Sequence, residues 1–182
     1  MSKNRKVRTL DAAYIAIGAA LIAVCSWISI PWTVPFTMQT FGVFFVLLLL
    51  GGIRGTISIV VYILMGLVGV PVFSGFAGGV GVLLGKTGGY ILGFVLIGLI
   101  YLVFVEVLGD KKGIRLIALA VGLLACYAGG TAWFMYIHLR DVGAVGLMTV
   151  LSWCVFPFIL PDLVKMALAL VVAKRVKPVI KE

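Results

Sequence analysis

Long apolar segments, separated by short groups of charged residues, run through almost the whole chain. Charged residues are absent from five stretches, which cover residues 12–53, 55–85, 87–105, 116–139 and 142–161. A helix needs only about 20 predominantly apolar residues to cross the hydrocarbon of a bilayer. The first stretch is long enough for two crossings, divided at Pro31 and Pro35, and each later stretch holds one. The pattern therefore predicts an all-α integral membrane protein with six transmembrane helices.

The six predicted spans form a single transmembrane domain over residues 1–182. They cover residues 10–30, 39–53, 55–70, 88–108, 114–137 and 147–174. Spans two and three are short, and the glycine-rich segment around Arg54 that joins them leaves room only for a tight turn. We therefore expect these two spans to form an antiparallel helical hairpin.

Composition and the placement of charge agree with a membrane protein. Of the 182 residues, 63% are hydrophobic and 12% are charged, against about 25% charged residues in a typical soluble domain. The net charge of +9 would suit a nucleic-acid partner, but the basic residues lie at the ends of the spans. We therefore expect the lipid bilayer, and no nucleic acid, as a partner.

The basic residues also predict the topology. With a cytoplasmic amino terminus, twelve basic residues fall on the inner side, only Lys86 and Arg140 fall in outer loops, and Lys165 lies within a span. The twelve are Lys3, Arg5, Lys6, Arg8, Arg54, Lys111, Lys112, Arg115, Lys174, Arg175, Lys177 and Lys181. An excess of Lys and Arg in cytoplasmic loops sets the orientation of membrane proteins. Both termini are therefore predicted to be cytoplasmic.

Two of the predicted outer connections have unusual compositions. Residues 31–39 are rich in proline and aromatic residues, which predicts extended backbone. Residues 71–89, called here the glycine-rich loop, place many glycines among apolar residues. Irregular backbone at membrane depth is tolerated only against protein or beside a water-filled cavity. We therefore expect the glycine-rich loop to form the wall or lid of a pocket.

Asp162 and Lys165 are the strongest candidates for a functional site. At positions i and i+3 of a helix they share a face, and Asp162 lies roughly 18 Å along the helix from Lys174. In hydrocarbon about 30 Å thick this position is near the middle of the membrane, where ionisable residues are costly and usually functional. Pro157 and Pro161 precede the pair and interrupt the helix, as is common at transporter binding sites. The alternative is an internal ion pair that only orients the last span.

Two further features allow a functional and a purely structural interpretation. Gln39, at the start of span two, offers a donor and an acceptor, but it also suits an interfacial cap. In span one, Ala12, Ala16 and Ala20 recur every four residues. Such a strip allows another helix to approach closely, either from a partner protein or from within the same chain.

Motifs of catalysis are missing from the sequence. It contains no phosphate-binding loop of the G-x-x-x-x-G-K-[ST] type and no H-E-x-x-H or G-x-S-x-G motif. The three cysteines lie inside predicted spans without the paired spacing of a metal site or a disulfide framework. We expect neither an enzyme nor a resident metal or cofactor, and the chain cannot couple ATP hydrolysis by itself.

Three separated motifs resemble the BioY family, the biotin-specific substrate-binding (S) components of energy-coupling factor (ECF) transporters. The first is Val34-Pro35-Phe36-Thr37-Met38-Gln39-Thr40, the second runs from Pro71 through Gly78-Gly79-Val80-Gly81 to Phe94, and the third is Pro161-Asp162-Leu163-Val164-Lys165. The resemblance extends from span one to span six. It implies the ECF S-component fold, with six helices around a pocket open to the outside and covered by loops one and three.

The resemblance also implies a ligand, partners and site residues. Biotin would be the transported substrate, and the partners would be a transmembrane coupling protein and two cytoplasmic ATPase subunits in the plasma membrane of a prokaryote. Asp162 and Lys165 would hold biotin, and Ala12, Ala16 and Ala20 would dock the coupling protein. The candidate biotin-binding set is completed by residues from the two outer connections and the start of span four. These are Gln39, Phe73, Ser74, Gly78, Gly79 and Tyr90.

One departure from the family and one chemical ambiguity remain open at this point. Some members carry a polar residue in the glycine-rich loop where this chain has Phe76 and Ala77. An ionised Asp162 suits the ureido N–H groups of biotin, whereas Lys165 suits either the ureido carbonyl or the carboxylate. The alternatives to a biotin-binding subunit are an S component for another small vitamin, a membrane scaffold without a ligand, and a membrane enzyme.

Overall fold

The computed structural model describes residues 9–31 and 34–180. Seven helices are assigned in this part of the chain, together with a two-stranded hairpin and one short 3-10 turn at Ser74–Phe76. The helices are α1 (Thr9–Trp27), α2 (Gln39–Leu67), α3 (Val80–Leu83), α4 (Gly88–Leu108), α5 (Lys112–Asp141), α6 (Leu147–Cys154) and α7 (Phe156–Ile180), and the strands are β1 (Ser29–Ile30) and β2 (Phe36–Thr37). The predicted inner charges at Lys3, Arg5, Lys6, Arg8 and Lys181 lie outside the described residues.

Helix α2 contains the predicted hairpin of spans two and three. Its backbone leaves the helical conformation at Gly51, where φ is +81° and ψ is 175°, a conformation that favours glycine. The side chains of Gln39 and Tyr62 meet at 2.5 Å, although a straight helix would separate these residues by roughly 35 Å. The chain therefore reverses direction at Gly51, and its two arms run antiparallel.

The two arms of α2 approach each other closely at the turn. A Cβ atom at Gly55 would lie only 2.9 Å from the Cα of Leu47, so no larger residue fits there without a shift of backbone. Beside the turn, Arg54 forms an ion pair with Asp11 of α1, and its guanidinium lies over the ring of Tyr14, 5.8 Å from the centroid. These contacts hold the turn of α2 against the start of α1.

The predicted last span, residues 147–174, is divided into two helices. Val155, with φ of −125° and ψ of −59°, separates α6 from α7. Pro157 follows in the first turn of α7, where the missing N–H of proline is tolerated. Pro161 lies further inside α7 and cannot donate to the carbonyl of Pro157. The division places a break in the backbone about two helical turns before Asp162.

Helix α2 is the centre of the packing. It contacts α1, α4 and α7, while α5 packs along α4. The core between them is apolar and contains the fully buried side chains of Phe44, Tyr62, Tyr101 and Phe134. Within the described residues, five helical segments are long and apolar enough to cross a membrane, with α2 counted once and α6 and α7 counted together. The number of crossings and the cytoplasmic position of both termini stay predictions.

Candidate small-molecule site

A cavity of about 140 Å³ lies between the helices at the end of the molecule away from Arg54. It is lined by the segment that leads into α2, by the loop after α2, and by α4, α5, α6 and α7. Most of its wall is apolar, with contributions from Val34, Phe73, Phe94, Leu123 and Phe158. A mostly apolar wall with a few polar groups is the usual form of a small-molecule site.

One group of polar side chains lines this cavity, and we call Asp162, Lys165, Thr40 and Tyr127 the carboxylate cluster. Lys165 Nζ donates to Asp162 Oδ1 at 2.8 Å and to Thr40 Oγ1 at 3.2 Å. Thr40 Oγ1 in turn donates to Asp162 Oδ1 at 2.8 Å, and Tyr127 Oη donates to Asp162 Oδ2 at 2.6 Å. The carboxylate of Asp162 is therefore held by three donors from three helices.

Burial makes the carboxylate cluster electrostatically important. The relative exposure of Asp162 is 2%, and the side chain of Lys165 is 12% exposed. A buried charge is costly unless a partner of opposite charge and further hydrogen bonds compensate it. Here the i, i+3 spacing on α7 supplies the ion pair, while Thr40 and Tyr127 supply the remaining hydrogen bonds. The cluster thus keeps opposite charges beside the apolar cavity.

Two further polar pairs lie at the cavity wall. Gln39 Nε2 donates to Tyr62 Oη at 2.5 Å, and Tyr90 Oη lies 3.1 Å from Thr131 Oγ1. The ring of Tyr90 packs directly against Gly130, where a Cβ atom would lie 2.2 Å from the ring. Gln39 and Tyr90 are both buried. Each pair fixes one side chain of the cavity wall through a second residue behind it.

The first of the two connections predicted to be outer covers one side of the cavity. Strands β1 and β2 pair antiparallel, with Ser29 opposite Thr37 and Ile30 opposite Phe36. The extended backbone predicted for residues 31–39 is therefore found at Phe36 and Thr37, whereas Gln39 already belongs to α2. The ring of Phe36 stacks on Phe158 of α7 with 4.2 Å between centroids. Val34, Pro35 and Thr37 then face the cavity. This hairpin links the start of α2 to the start of α7.

The glycine-rich loop covers another side and is held by side chains of α1 and α5. Ser26 Oγ donates to the carbonyl of Val72, Trp27 Nε1 to that of Pro71 at 2.9 Å, and Trp133 Nε1 to that of Gly85 at 3.0 Å. These bonds satisfy loop carbonyls that have no partner in a helix, as an apolar surrounding requires. The two tryptophans therefore anchor the loop.

Phe73 is a buried residue of the glycine-rich loop that lines the cavity. Its side chain is 1% exposed and lines the cavity, and its ring meets that of Tyr62 edge-on at 5.6 Å. The ring occupies space that only glycine leaves open, because a Cβ atom at Gly66 would lie 2.0 Å from it. Phe73 thus closes the cavity above Gln39 and Tyr62.

The structure brings most of the predicted site residues together. Six of the eight candidate contacts line the cavity, namely Gln39, Phe73, Ser74, Tyr90, Asp162 and Lys165. Gly78 and Gly79 do not line it. The N–H of Gly79 instead donates to the carbonyl of Gly66 at 2.7 Å, and a Cβ atom at Gly78 would lie 2.5 Å from the carbonyl oxygen of Val70. These glycines hold the loop against the end of α2.

Several lining residues were not among the sequence-based candidates. Thr40 directly follows Gln39 and is the last residue of the first motif. Its place in that motif was the one signal from which it could have been predicted. Tyr127 is a polar residue in the middle of an apolar span, yet nothing in its spacing connects α5 with Asp162. Cys126 and Cys154, which lie inside predicted spans without the spacing of a metal site, also line the cavity as free thiols.

The small-residue strip of Ala12, Ala16 and Ala20 lies on the outside of the molecule. All three alanines are exposed, whereas Gly18, Ala19, Ile22 and Ala23 on the opposite side of α1 are buried. The packing contacts of α1 with α2 therefore use the other face of the helix. The strip therefore lies on the exposed face of α1 and not on the face that packs against α2.

The fold and the site together define a helical membrane protein that encloses a small, mostly apolar cavity beside a buried charge pair. The sequence model of the BioY family matches residues 1–182. A probable biotin transporter BioY from Pyrococcus horikoshii is 36% identical over 172 residues, covering 94% of this chain and 98% of that protein. The biotin transporter BioY from Thermotoga maritima is 40% identical over 167 residues, covering 88% and 92%. The chain belongs to the BioY family.

A solved structure has the same fold. The crystal structure of the S-component for biotin from an ECF-type ABC transporter matches with a TM-score of 0.79 and 27% sequence identity. The match covers 98% of this chain and 95% of that chain. The predicted fold class and family are thereby confirmed, and the chain is a transporter subunit and not an enzyme.

Proposed function

We propose that this chain is the biotin-binding S component of an ECF transporter in the plasma membrane of a prokaryote. It captures biotin from the outside and delivers it to the cytoplasm when it is coupled to a transmembrane coupling protein and two ATPase subunits. The observation that carries this proposal is the carboxylate cluster, a buried and charged hydrogen-bonding centre in an otherwise apolar cavity. Family membership and the names of the relatives support biotin as the ligand.

The hydrogen-bonding capacity of the carboxylate cluster suits the head group of biotin. A carboxylate offers about four acceptor positions, and three of them are used by Lys165, Thr40 and Tyr127. An ammonium group offers three donors, of which Lys165 uses two. One acceptor and one donor therefore stay available. A ureido group, which presents N–H donors beside a carbonyl, complements this pair, and the apolar wall receives the bicyclic ring and chain.

The same count leaves a second arrangement for Lys165. Its third N–H can bind the carboxylate of biotin as well as the ureido carbonyl, and the two arrangements reverse the direction of the ligand in the cavity. Gln39 has a second N–H and a carbonyl oxygen beyond its bond to Tyr62, which can complete either arrangement. Some family members have a polar side chain in the glycine-rich loop where this chain has Phe76 and Ala77. In this chain a polar contact from the loop would have to come from Ser74, which lines the cavity, or from backbone groups.

The proposed coupling surface is the small-residue strip of α1. Ala12, Ala16 and Ala20 are exposed along one line of the helix, and small residues allow the backbones of two membrane helices to approach closely. The cavity lies on other elements, with no α1 residue in its lining. Docking of the coupling protein and binding of biotin therefore use separate surfaces of the described chain.

The test is the identity of the ligand that the protein retains. The chain is expressed with its own sequence, solubilised in detergent and purified, and small molecules released by denaturation are identified by mass spectrometry. We expect biotin at close to one molecule per chain, and saturable binding when biotin is titrated into ligand-free protein. Retention of a different vitamin would contradict biotin as the ligand and identify that vitamin in its place. A ligand-free preparation that also fails to bind added biotin would contradict the proposed function and favour the scaffold interpretation.

A further inference from the structure

Tyr62 is a tyrosine that stands directly behind the wall of the cavity. It is fully buried and does not itself line the cavity. Gln39 Nε2 donates to its hydroxyl oxygen at 2.5 Å, and the same hydroxyl forms a second side-chain hydrogen bond with Ser26 of α1. Gln39 begins the first arm of α2, and Tyr62 lies in the second arm. One hydroxyl group therefore connects three helical segments behind the cavity wall.

The direction of these hydrogen bonds follows from Ser26. Its hydroxyl lies at hydrogen-bond distance from two carbonyl oxygens, that of Ala23 at 2.7 Å and that of Val72 in the glycine-rich loop. A hydroxyl group has one hydrogen, and a carbonyl oxygen can only accept, so Ser26 commits its hydrogen to the carbonyls. Toward Tyr62 the hydroxyl of Ser26 can then only accept. Tyr62 therefore donates to Ser26 and accepts from Gln39.

The same direction fixes the side-chain amide of Gln39. The nitrogen and oxygen of an amide are told apart by their hydrogen-bond partners, and a Tyr62 hydroxyl that donates to Ser26 needs a donor on its other side. The nitrogen of Gln39 therefore faces Tyr62, and its oxygen Oε1 points away. Oε1 accepts no hydrogen bond from the described residues and is not sealed in the core. Because Gln39 lines the cavity, Oε1 is an acceptor offered to a ligand there.

We propose that Tyr62 is a positioning residue for ligand binding, which turns the amide of Gln39 so that Oε1 accepts an N–H group of the ligand. Ser26 sets the direction by accepting from Tyr62. This inference rests on the proposed function, because biotin supplies N–H groups from its ureido ring. An amide that is fixed before binding spares the complex the entropy cost of ordering that side chain.

The amide of Gln39 can be observed directly, because Gln39 is the only glutamine in the sequence. Detergent-solubilised protein labelled with ¹⁵N in the glutamine side chain therefore gives one pair of amide proton signals. In ligand-free wild type we expect one of the two protons to be shifted downfield and to exchange slowly with solvent. Tyr62→Phe keeps the ring, which packs edge-on against Phe73, and removes only the hydroxyl. It should abolish both the shift and the slow exchange.

A control and a second variant accompany this measurement. Tyr101→Phe changes a buried tyrosine outside the cavity lining and should leave the amide signals unchanged. Thermal melting shows whether each variant is folded. Should Tyr62→Phe unfold, Ser26→Ala takes its place, because it removes the acceptor of Tyr62 and frees the hydroxyl to donate to Oε1 of Gln39. The amide then turns over, and the signal of the hydrogen-bonded proton should be lost.

Calorimetric titration of biotin tests whether the position of the amide matters for binding. We expect Tyr62→Phe to lower biotin affinity roughly threefold to tenfold, and Gln39→Met, which removes the amide, to lower it at least as much. Residues of one hydrogen-bond network are not additive. If Tyr62 acts through Gln39, Tyr62→Phe should therefore cause no further loss in the Gln39→Met background.

Each outcome decides a different part of the proposal. Unchanged amide signals in Tyr62→Phe would overturn the positioning of Gln39, whether or not the chain binds biotin. Additive losses of affinity in the double variant would also overturn the proposal, because they would show that Tyr62 acts through general packing. Amide signals that respond to Tyr62→Phe in a protein that does not bind biotin would contradict the proposed function but support the positioning of Gln39.

Discussion

Asp162 is the buried carboxylate on which the polar contacts of the carboxylate cluster converge. Its carboxylate accepts three hydrogen bonds and is 2% exposed, in a medium that penalises isolated charges. Asp162→Asn keeps the shape but removes the charge and introduces donors that face the donors of Lys165 and Tyr127. Charge-assisted hydrogen bonds are about twice as strong as neutral ones. We expect biotin affinity to fall at least tenfold, or about 1.4 kcal/mol, in calorimetric titration of the purified variant.

The partner substitutions separate ligand binding from an internal ion pair. Lys165→Met should also weaken biotin binding, and the Asp162→Asn, Lys165→Met double variant should bind more weakly than wild type even if it is more stable. A buried pair replaced as a whole is often neutral for stability, so the scaffold interpretation predicts no ligand penalty. Unchanged affinity in Asp162→Asn would remove Asp162 from the binding site.

Tyr127 is a positioning residue for Asp162. Its hydroxyl holds Oδ2 of the carboxylate at 2.6 Å from across the cavity, on α5. Tyr127→Phe removes this bond without a change in shape, and a buried hydrogen bond to a charged group contributes about 1.5–3 kcal/mol. Because two other donors stay on Asp162, we expect biotin affinity to fall by roughly fivefold to tenfold. Calorimetric titration measures this loss.

Tyr101 offers a matched control for Tyr127. It is 1% exposed but does not line the cavity, so Tyr101→Phe changes a buried tyrosine without touching the carboxylate cluster. We expect its biotin affinity to equal that of wild type. A similar loss of affinity in both variants would show that buried tyrosines act through general stability and not through Asp162.

At the scale of the elements, α1 has two faces with separate contacts. Its buried face packs on α2, where Gly18 leaves room for Ser58, and its exposed face carries Ala12, Ala16 and Ala20. Ala16→Leu fills the space that a partner helix would need without altering the buried face. We expect binding of the coupling protein to weaken in co-purification, while biotin affinity stays at the wild-type value.

An alanine on another helix provides the comparison for Ala16. Ala167 of α7 is exposed and does not line the cavity of the carboxylate cluster, so Ala167→Leu adds the same bulk away from the strip. It should leave binding of the coupling protein intact. If Ala16→Leu reduced biotin affinity as much as it reduced coupling, the strip would be part of the internal packing after all.

An element could be predicted from the sequence where the residues that determine it are neighbours along the chain. The reversal at Gly51 has a local signal, because Gly51, Gly52 and Gly55 interrupt an apolar run beside Arg54, and the structure confirms the hairpin. The division of the last span at Val155 was not predicted. Pro157 indicated that the helix is interrupted nearby but did not give the position. A proline is tolerated in the first turn of a helix, so it is compatible both with a kink inside a helix and with the start of a new one.

Site residues that lie within sequence motifs could be predicted. Site residues that are distant in the sequence and come together only in the folded chain could not. Asp162 and Lys165 are neighbours on one helix turn, and their charge alone marked them. The bond from Tyr127 to Asp162 joins residues that are 35 positions apart, which no spacing rule connects. Gly78 and Gly79 were predicted to contact the ligand, but they approach backbone at the end of α2 and in the residues just after it.

At the scale of the whole molecule, the reversal within α2 decides the topology. With the two arms counted separately, the chain traverses the bundle six times, as α1, two arms of α2, α4, α5, and α6 with α7. We predict that each traversal crosses the membrane, and an even number of crossings would place both termini on one side. Arg54, Lys112 and Lys174 then share that side, while Lys86 and Arg140 lie on the other. If α2 crossed once, the termini would lie on opposite sides and the basic residues would be divided between them.

Reporter fusions distinguish these two topologies. Reporters placed after residue 182 and in the connection near Asp110 should both give a cytoplasmic signal, because an excess of Lys and Arg keeps loops inside. A fusion at Gly143, in the connection between α5 and α6, is the control and should report the outside. The five-crossing alternative predicts opposite signals from the amino-terminal end and residue 182. An outside signal at residue 182 or near Asp110 would therefore refute the six-span topology, and with it the placement of the biotin cavity towards the outside.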